Sequence, residues 1–191
     1  MLGCALAALL LAGCERVGYR AIPGDSIRSG WASHEQASGI PSIAPSQRDF
    51  LVSVAENGMF EIEASRMAIA RGGSPAVRRF AEATLRDRVA VDTDLQQLAA
   101  SVDVKLPSHL NDLQQARLDV LSRLTGSEFD RAYARNVGVM AQEEALTAFE
   151  RAADRHGARV QRFAAEQIPA LRRHLEWARQ IASELDKTKM A

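Results

Sequence analysis

The sequence has little of several features on which common protein functions depend. Its two cysteines, Cys4 and Cys14, both lie near the start, so the rest of the chain can form neither a disulfide nor a thiolate metal site. Basic and acidic residues balance at 24 each, which gives no charge-based reason to expect nucleic acid or an anionic membrane surface as a partner. No phosphate-binding glycine loop, zinc-ligand spacing or Glu-x-x-His motif is present. Nothing suggests a nucleophile–base pair, and we therefore expect no enzyme and no cofactor.

Residues 1–13 have the composition of a lipoprotein signal peptide. Met1 to Ala12 carry no charge, are rich in Leu and Ala, and are too few to span a bilayer as a helix. They lead into Leu11-Ala12-Gly13-Cys14, in which the thiol of Cys14 would receive the lipid before cleavage. This predicts a lipid anchor on the periplasmic side of the bacterial envelope, and Glu15 after the cysteine favours the outer over the inner membrane. A short hydrophobic helix that is never processed is the alternative.

Residues 14–45 are predicted to be the lipidated cysteine and a flexible linker, because they are rich in Gly, Ser and Pro and show no sustained period. Residues 46–187 are predicted to be a helical domain. Two capping boxes, Ser46 with Asp49 and Ser127 with Asp130, would each open a helix there.

Glycine and proline mark the other helix boundaries. The first helix should stop at Gly72-Gly73, and the second should start at Ser74-Pro75 and run to about Ser101. A short helix is expected from Asn111 to about Leu124. A fourth helix should end at Gly157, followed by a fifth from Ala158 to about Lys187.

Each long segment carries one apolar stripe at helical spacing, such as Phe50, Val54 and Ala68 in the first helix. Four such helices predict an all-α fold, an antiparallel four-helix bundle in which the short helix connects two hairpins. The five residues from Val77 to Ala81 are echoed by those from Val160 to Ala164, which suggests that the two hairpins are related.

Three polar residues fall on these apolar stripes. Glu61 is seven residues after Val54 and seven before Ala68, Arg88 lies between Thr84 and Val91, and His174 follows Leu171 by three. A buried acid must be paired or neutralised, because desolvation costs several kcal/mol. We therefore expect Glu61 and Arg88 to form an ion pair between the first two helices.

Four segments in order resemble domain-of-unknown-function family 4142, bacterial envelope proteins regarded as ferritin-like. They run from Ala55 to Glu63, Ser74 to Ala81, Phe129 to Tyr133 and Ile168 to Leu175. The resemblance covers about residues 48 to 186 and implies a ferritin-like helical bundle.

The stripe positions Glu61, Arg88 and His174, together with Asp87, which the resemblance adds, predict a polar core cluster. Members of the family usually have Asp-His in the second helix and another inward His in the fourth. Here Asp87 is followed by Arg88, and the fourth-helix position is Ala141. With two such ligands missing and an arginine in their place, we expect no metal site.

The sequence therefore favours a lipid-anchored envelope protein of unknown biochemical activity, with a structural, stress-related or interaction role. Its expected partners are the membrane, through the lipid, and an unidentified envelope protein. A metal-binding or redox ferritin-like protein is the alternative. An oligomeric adaptor, which would need a large exposed apolar patch, is a third hypothesis.

Overall fold

The computed structural model describes residues 43–155 and 157–190, and these residues form helices and connections without a β-strand. The all-α prediction is therefore confirmed. None of the described helices is long and apolar enough to cross a membrane. In chain order the helices are α1 (Pro45–Arg71), α2 (Pro75–Ser101), α3 (Asp112–Ser122), α4 (Gly126–Tyr133), a π-helical segment (Ala134–Met140), α5 (Ala141–Arg155) and α6 (Ala158–Met190).

The four long helical units form an antiparallel bundle. The pairs α1/α2, α5/α6, α2/α6 and α1/α5 are neighbours, and the chain direction alternates around this ring. Because α2 and α4 begin at the same end of the bundle, the connection between them must return along its full length. The segment containing α3 makes this return, which is the single long crossover of ferritin-like bundles.

Two hydrogen bonds hold α3 against α1. The Nδ2 group of Asn111 donates to Glu56 Oε2 at 2.9 Å, and Nε2 of Gln114 donates to Asn57 Oδ1 at 2.9 Å. Asn111 also caps its own helix, since its Oδ1 accepts from the backbone N–H of Gln114. The predicted connecting helix is thus present, one residue shorter at its start and two at its end.

The predicted capping box of Ser46 and Asp49 is wrong. Helix α1 begins one residue earlier, at Pro45, and Ala44 is the residue before it. Gln47 Oε1 accepts from the backbone N–H of Ala44 at 3.0 Å. The proline supplies the helical φ angle at the first position, so no hydroxyl cap is needed.

The second predicted capping box, Ser127 with Asp130, is also wrong. Helix α4 begins at Gly126, one residue before Ser127, and Asp130 faces another part of the molecule. Its carboxylate accepts from the backbone N–H groups of Gly73 at 3.0 Å and Ser74 at 2.7 Å. It thereby joins α4 to the turn between α1 and α2. The hydroxyl of Ser74 forms no cap bond, although Ser74 does precede α2 as predicted.

The apolar core consists of two halves along the bundle axis. One half includes Phe50, Leu95 and Phe149; the other includes Phe80 and Phe129. Val77, Phe80 and Ala81 are buried at the start of α2, and Val160, Phe163 and Ala164 are buried at the start of α6. The two echoing motifs therefore have equivalent places, one in each half of the core.

The π-helical segment was not predicted from the sequence. A π turn holds one more residue than an α turn, so the face that a helix buries changes after it. Here Gly138 packs against α6 so closely that a Cβ atom on it would lie 2.9 Å from the Cβ of Ala178. The segment thus depends on a glycine at its point of closest approach.

We predict that Asp130→Asn will lower the free energy of unfolding by about 1–3 kcal/mol, because the amide has one acceptor oxygen and so loses one of the two part-buried bonds to the turn. Denaturant unfolding measures the loss. Asp154→Asn, at an exposed position of α5, is the matched control and should change little. Equal stability of the two variants would contradict the role of Asp130 as the tie between α4 and the turn.

Candidate functional site

A layer of polar side chains separates the two halves of the core. Each of the four long helical units contributes one residue to it: Glu61 from α1, Arg88 from α2, Gln142 from α5 and His174 from α6. Glu61 and Gln142 are fully buried, and Arg88 is 7% exposed. We call these four residues the polar layer.

Glu61 is the central acceptor of the polar layer. Its Oε2 accepts from Arg88 Nε at 2.7 Å and from Gln142 Nε2 at 2.7 Å. Gln142 Oε1 in turn lies 3.4 Å from Arg88 Nη2, which closes a small network across three helices. The structure therefore contains the Glu61–Arg88 ion pair that the stripe positions predict.

Burial and pairing act on Glu61 in opposite directions. Desolvation raises the pKa of its carboxyl, whereas the charge of Arg88 and the hydrogen bonds from Arg88 and Gln142 lower it. Its second oxygen, Oε1, has no hydrogen-bond partner among the described residues. The carboxylate is thus only half satisfied, and a buried acid in this state depends strongly on its one cation.

His174 and Asp87 form the outer edge of the layer. His174 Nε2 lies 2.9 Å from Asp87 Oδ2; the imidazole is 13% exposed and the carboxylate 49%. Burial lowers the pKa of His174, and Asp87 opposes this by raising it, while Arg88 and Arg173 lower it. A neutral imidazole that donates Nε2–H to the carboxylate fits these surroundings.

A second buried pair lies in the half of the core that contains Phe80 and Phe129. The hydroxyls of Ser65 and Tyr133 are 2.9 Å apart and join α1 to α4. Desolvation raises the pKa of Tyr133, and the charge of Glu61 adds to the rise. Tyr133 therefore stays protonated at neutral pH and serves as a hydrogen-bonding group.

The structure corrects one of the expected site positions and adds another. Asp87 is exposed, so it belongs to the surface edge and not to the buried core. Ala141, expected at an inward position of the fourth helix, is buried, but the side chain that reaches Glu61 is that of its neighbour Gln142. Gln142 was not predicted as a site residue, and no residue pattern in the sequence signalled the π-helical segment just before it.

The residues of the layer do not fit a divalent cation. Among residues 43–155 and 157–190, no three His, Cys, Asp or Glu side chains lie close enough together to hold one. The place beside Glu61 is taken by a guanidinium, which repels a metal ion. A cavity of about 20 Å³ beside Asp87, Arg88, Gln142 and His174 has room for about one water molecule.

The comparisons with known proteins agree with this architecture. The sequence model of the family described as "Domain of unknown function (DUF4142)" matches residues 32–181, and the chain belongs to that family. The solved structure described as "Crystal structure of DUF305 fragment from Deinococcus radiodurans" is similar at 14% identity, with a TM-score of 0.65. The match covers 77% of this chain and 99% of that one, and it shows the fold alone. No curated protein matches the sequence.

We predict strong coupling between Glu61 and Arg88. Glu61→Gln and Arg88→Met should each lower the free energy of unfolding by about 3–5 kcal/mol, because each leaves a buried partner unpaired. The double variant should lose clearly less than the sum, as no unpaired charge remains in it. Denaturant unfolding of the four proteins gives the coupling energy, and additive losses would rule the coupling out.

We further predict a pKa below 6.5 for His174, measurable by NMR titration of its ring. The unfolded chain then binds the proton of the His174 ring more readily than the folded protein does. The free energy of unfolding should therefore be highest above pH 6.5 and should fall as the pH drops through the folded pKa. Asp87→Asn should lower the pKa further, since Asp87 raises it. His174→Gln should remove this part of the pH dependence. A pKa above 6.5 in the folded protein would contradict the assignment.

Proposed function

We propose that this protein is a lipid-anchored, non-enzymatic protein of the bacterial envelope, whose helical bundle has a structural, stress-related or interaction role. The proposal that the protein is not an enzyme is supported mainly by the charge balance of the polar layer. Its one buried acid is neutralised by Arg88 and further bonded by Gln142. Hydrogen bonds from two other helices position this carboxylate for packing between helices, which supports a structural role over a catalytic one.

The surroundings of the layer support the same reading. The histidine is held by a surface carboxylate at 2.9 Å, and the tyrosine by a serine at 2.9 Å. Each of these pairs joins two helices of the bundle. Polar groups that elsewhere would be candidates for acid–base chemistry are engaged here in contacts between helices.

The envelope location rests on the sequence Leu11-Ala12-Gly13-Cys14, which lies outside the described residues. A thioether-linked diacylglycerol with a further acyl chain would hold the protein firmly, at about 0.8 kcal/mol per buried methylene. The linker before Pro45 would then separate the anchor from the bundle. The outer membrane is the proposed membrane, because Glu15 and not aspartate follows the cysteine.

We predict that Cys14 carries the lipid. In a bacterial host fed with an alkyne-labelled fatty acid, the wild-type protein should take up label and sediment with the outer-membrane fraction. Cys14→Ser should lose both properties. Cys4→Ser is the matched control, because it removes the other cysteine and should behave as wild type.

Two results would contradict the proposal. An unmodified thiol at Cys14 in intact protein from the envelope, seen by mass spectrometry, would remove the anchor. Stoichiometric iron, manganese or zinc in the purified protein, lost in Glu61→Gln and His174→Ala variants that remain folded, would favour the metal-binding alternative over a structural bundle.

A further inference from the structure

A groove of about 330 Å³ lies on the surface where α3 passes over α1 and the π-helical segment. Its floor is apolar and buried, formed by Phe60 of α1, Leu121 of α3 and Val137 of the π-helical segment. This volume is at the lower end of the range for small-ligand sites, roughly 300–1,000 Å³. We call it the α3 groove.

The rim of the α3 groove exposes large apolar side chains to solvent. Leu113 and Val120 of α3 are 62% and 60% exposed, and Met140 of the π-helical segment is 50% exposed. Apolar surface in water costs about 25 cal/mol per Å², so such side chains around a hollow are unfavourable unless something covers them. An occupant of the groove would remove water from both floor and rim.

The lining of the groove includes a cation. Arg117 of α3 borders the groove, and its Nη1 lies 3.7 Å from Oε2 of Glu144. That separation is longer than a hydrogen bond, so the guanidinium keeps donors for another acceptor. A planar guanidinium binds a carboxylate with two parallel hydrogen bonds. The groove therefore presents an apolar trough with an anion-binding group at its side.

We propose that the α3 groove binds a free medium-chain fatty acid, with the alkyl chain in the trough and the carboxylate on Arg117. The groove volume of about 330 Å³ lies within the range of small-ligand sites, roughly 300–1,000 Å³, and this favours a small molecule as the occupant. The charge of Arg117 favours an acid over a neutral lipid. This inference goes beyond the proposed function and does not depend on the anchor at Cys14.

The test uses the full chain carrying Cys14→Ser, which blocks lipidation. Calorimetric titration with decanoate, below the concentration at which it forms micelles, should show saturable binding of one molecule per chain. Val120→Glu places a negative charge on the rim and should weaken binding by at least about tenfold, or about 1.4 kcal/mol. Val89→Glu is the matched control, a valine on α2 outside the groove that is 49% exposed against 60% for Val120, and should bind as the parent does.

The position of the carboxylate is tested by a second variant and a second ligand. Arg117→Gln should weaken binding of decanoate by about tenfold and leave binding of decanol nearly unchanged, because only the acid uses the guanidinium. Circular dichroism melts of each variant show that it is folded. Absence of saturable binding, or equal losses in Val89→Glu and Val120→Glu, would overturn the proposal. So would concentration-dependent dimerisation that Val120→Glu abolishes, since a second copy would then fill the groove.

Discussion

The two hydrogen bonds to Glu61 Oε2 are the constraint on which the rest of the bundle depends. A carboxylate buried this deeply is tolerated only if its cation is in place, and that cation comes from a different helix. Sliding α2 by one turn along α1 would remove Arg88 and leave an unpaired charge, whereas the apolar contacts of either core half could re-form in a new register. The polar layer therefore selects one register, and the two apolar halves supply most of the stabilisation.

The same network determines what the interior can do chemically. A ferritin-like bundle places inward polar residues at mid-length, where carboxylates and histidines from several helices could meet around a metal. In this chain a guanidinium and an amide lie around the inward carboxylate, and the histidine, 13% exposed, is bonded to Asp87 at the surface. At this level of the bundle the described residues are joined by hydrogen bonds between helices.

Local signals in the sequence predicted much of the fold, and contacts between distant segments account for what they missed. Helix ends at Gly72 and Pro75 follow from backbone preferences of single residues, and spacing along a regular helix was enough to find Glu61 and Arg88. Asp130 could not be assigned in this way, because its partners are 56 and 57 residues away. A capping box and a tie to a distant turn require the same residue type, so the sequence does not distinguish them.

The π-helical segment lies between the polar layer in the interior and the groove on the surface. In an α-helix each residue turns the chain by about 100°, so one extra residue rotates everything after it by that amount. Gln142, which follows the segment, reaches Glu61, and Ala141 beside it is also buried. Within the segment, Val137 forms part of the α3 groove floor and Met140 part of its rim. The π-helical segment thus contributes both to the polar layer and to the α3 groove. Apolar periodicity alone predicts neither of these two features.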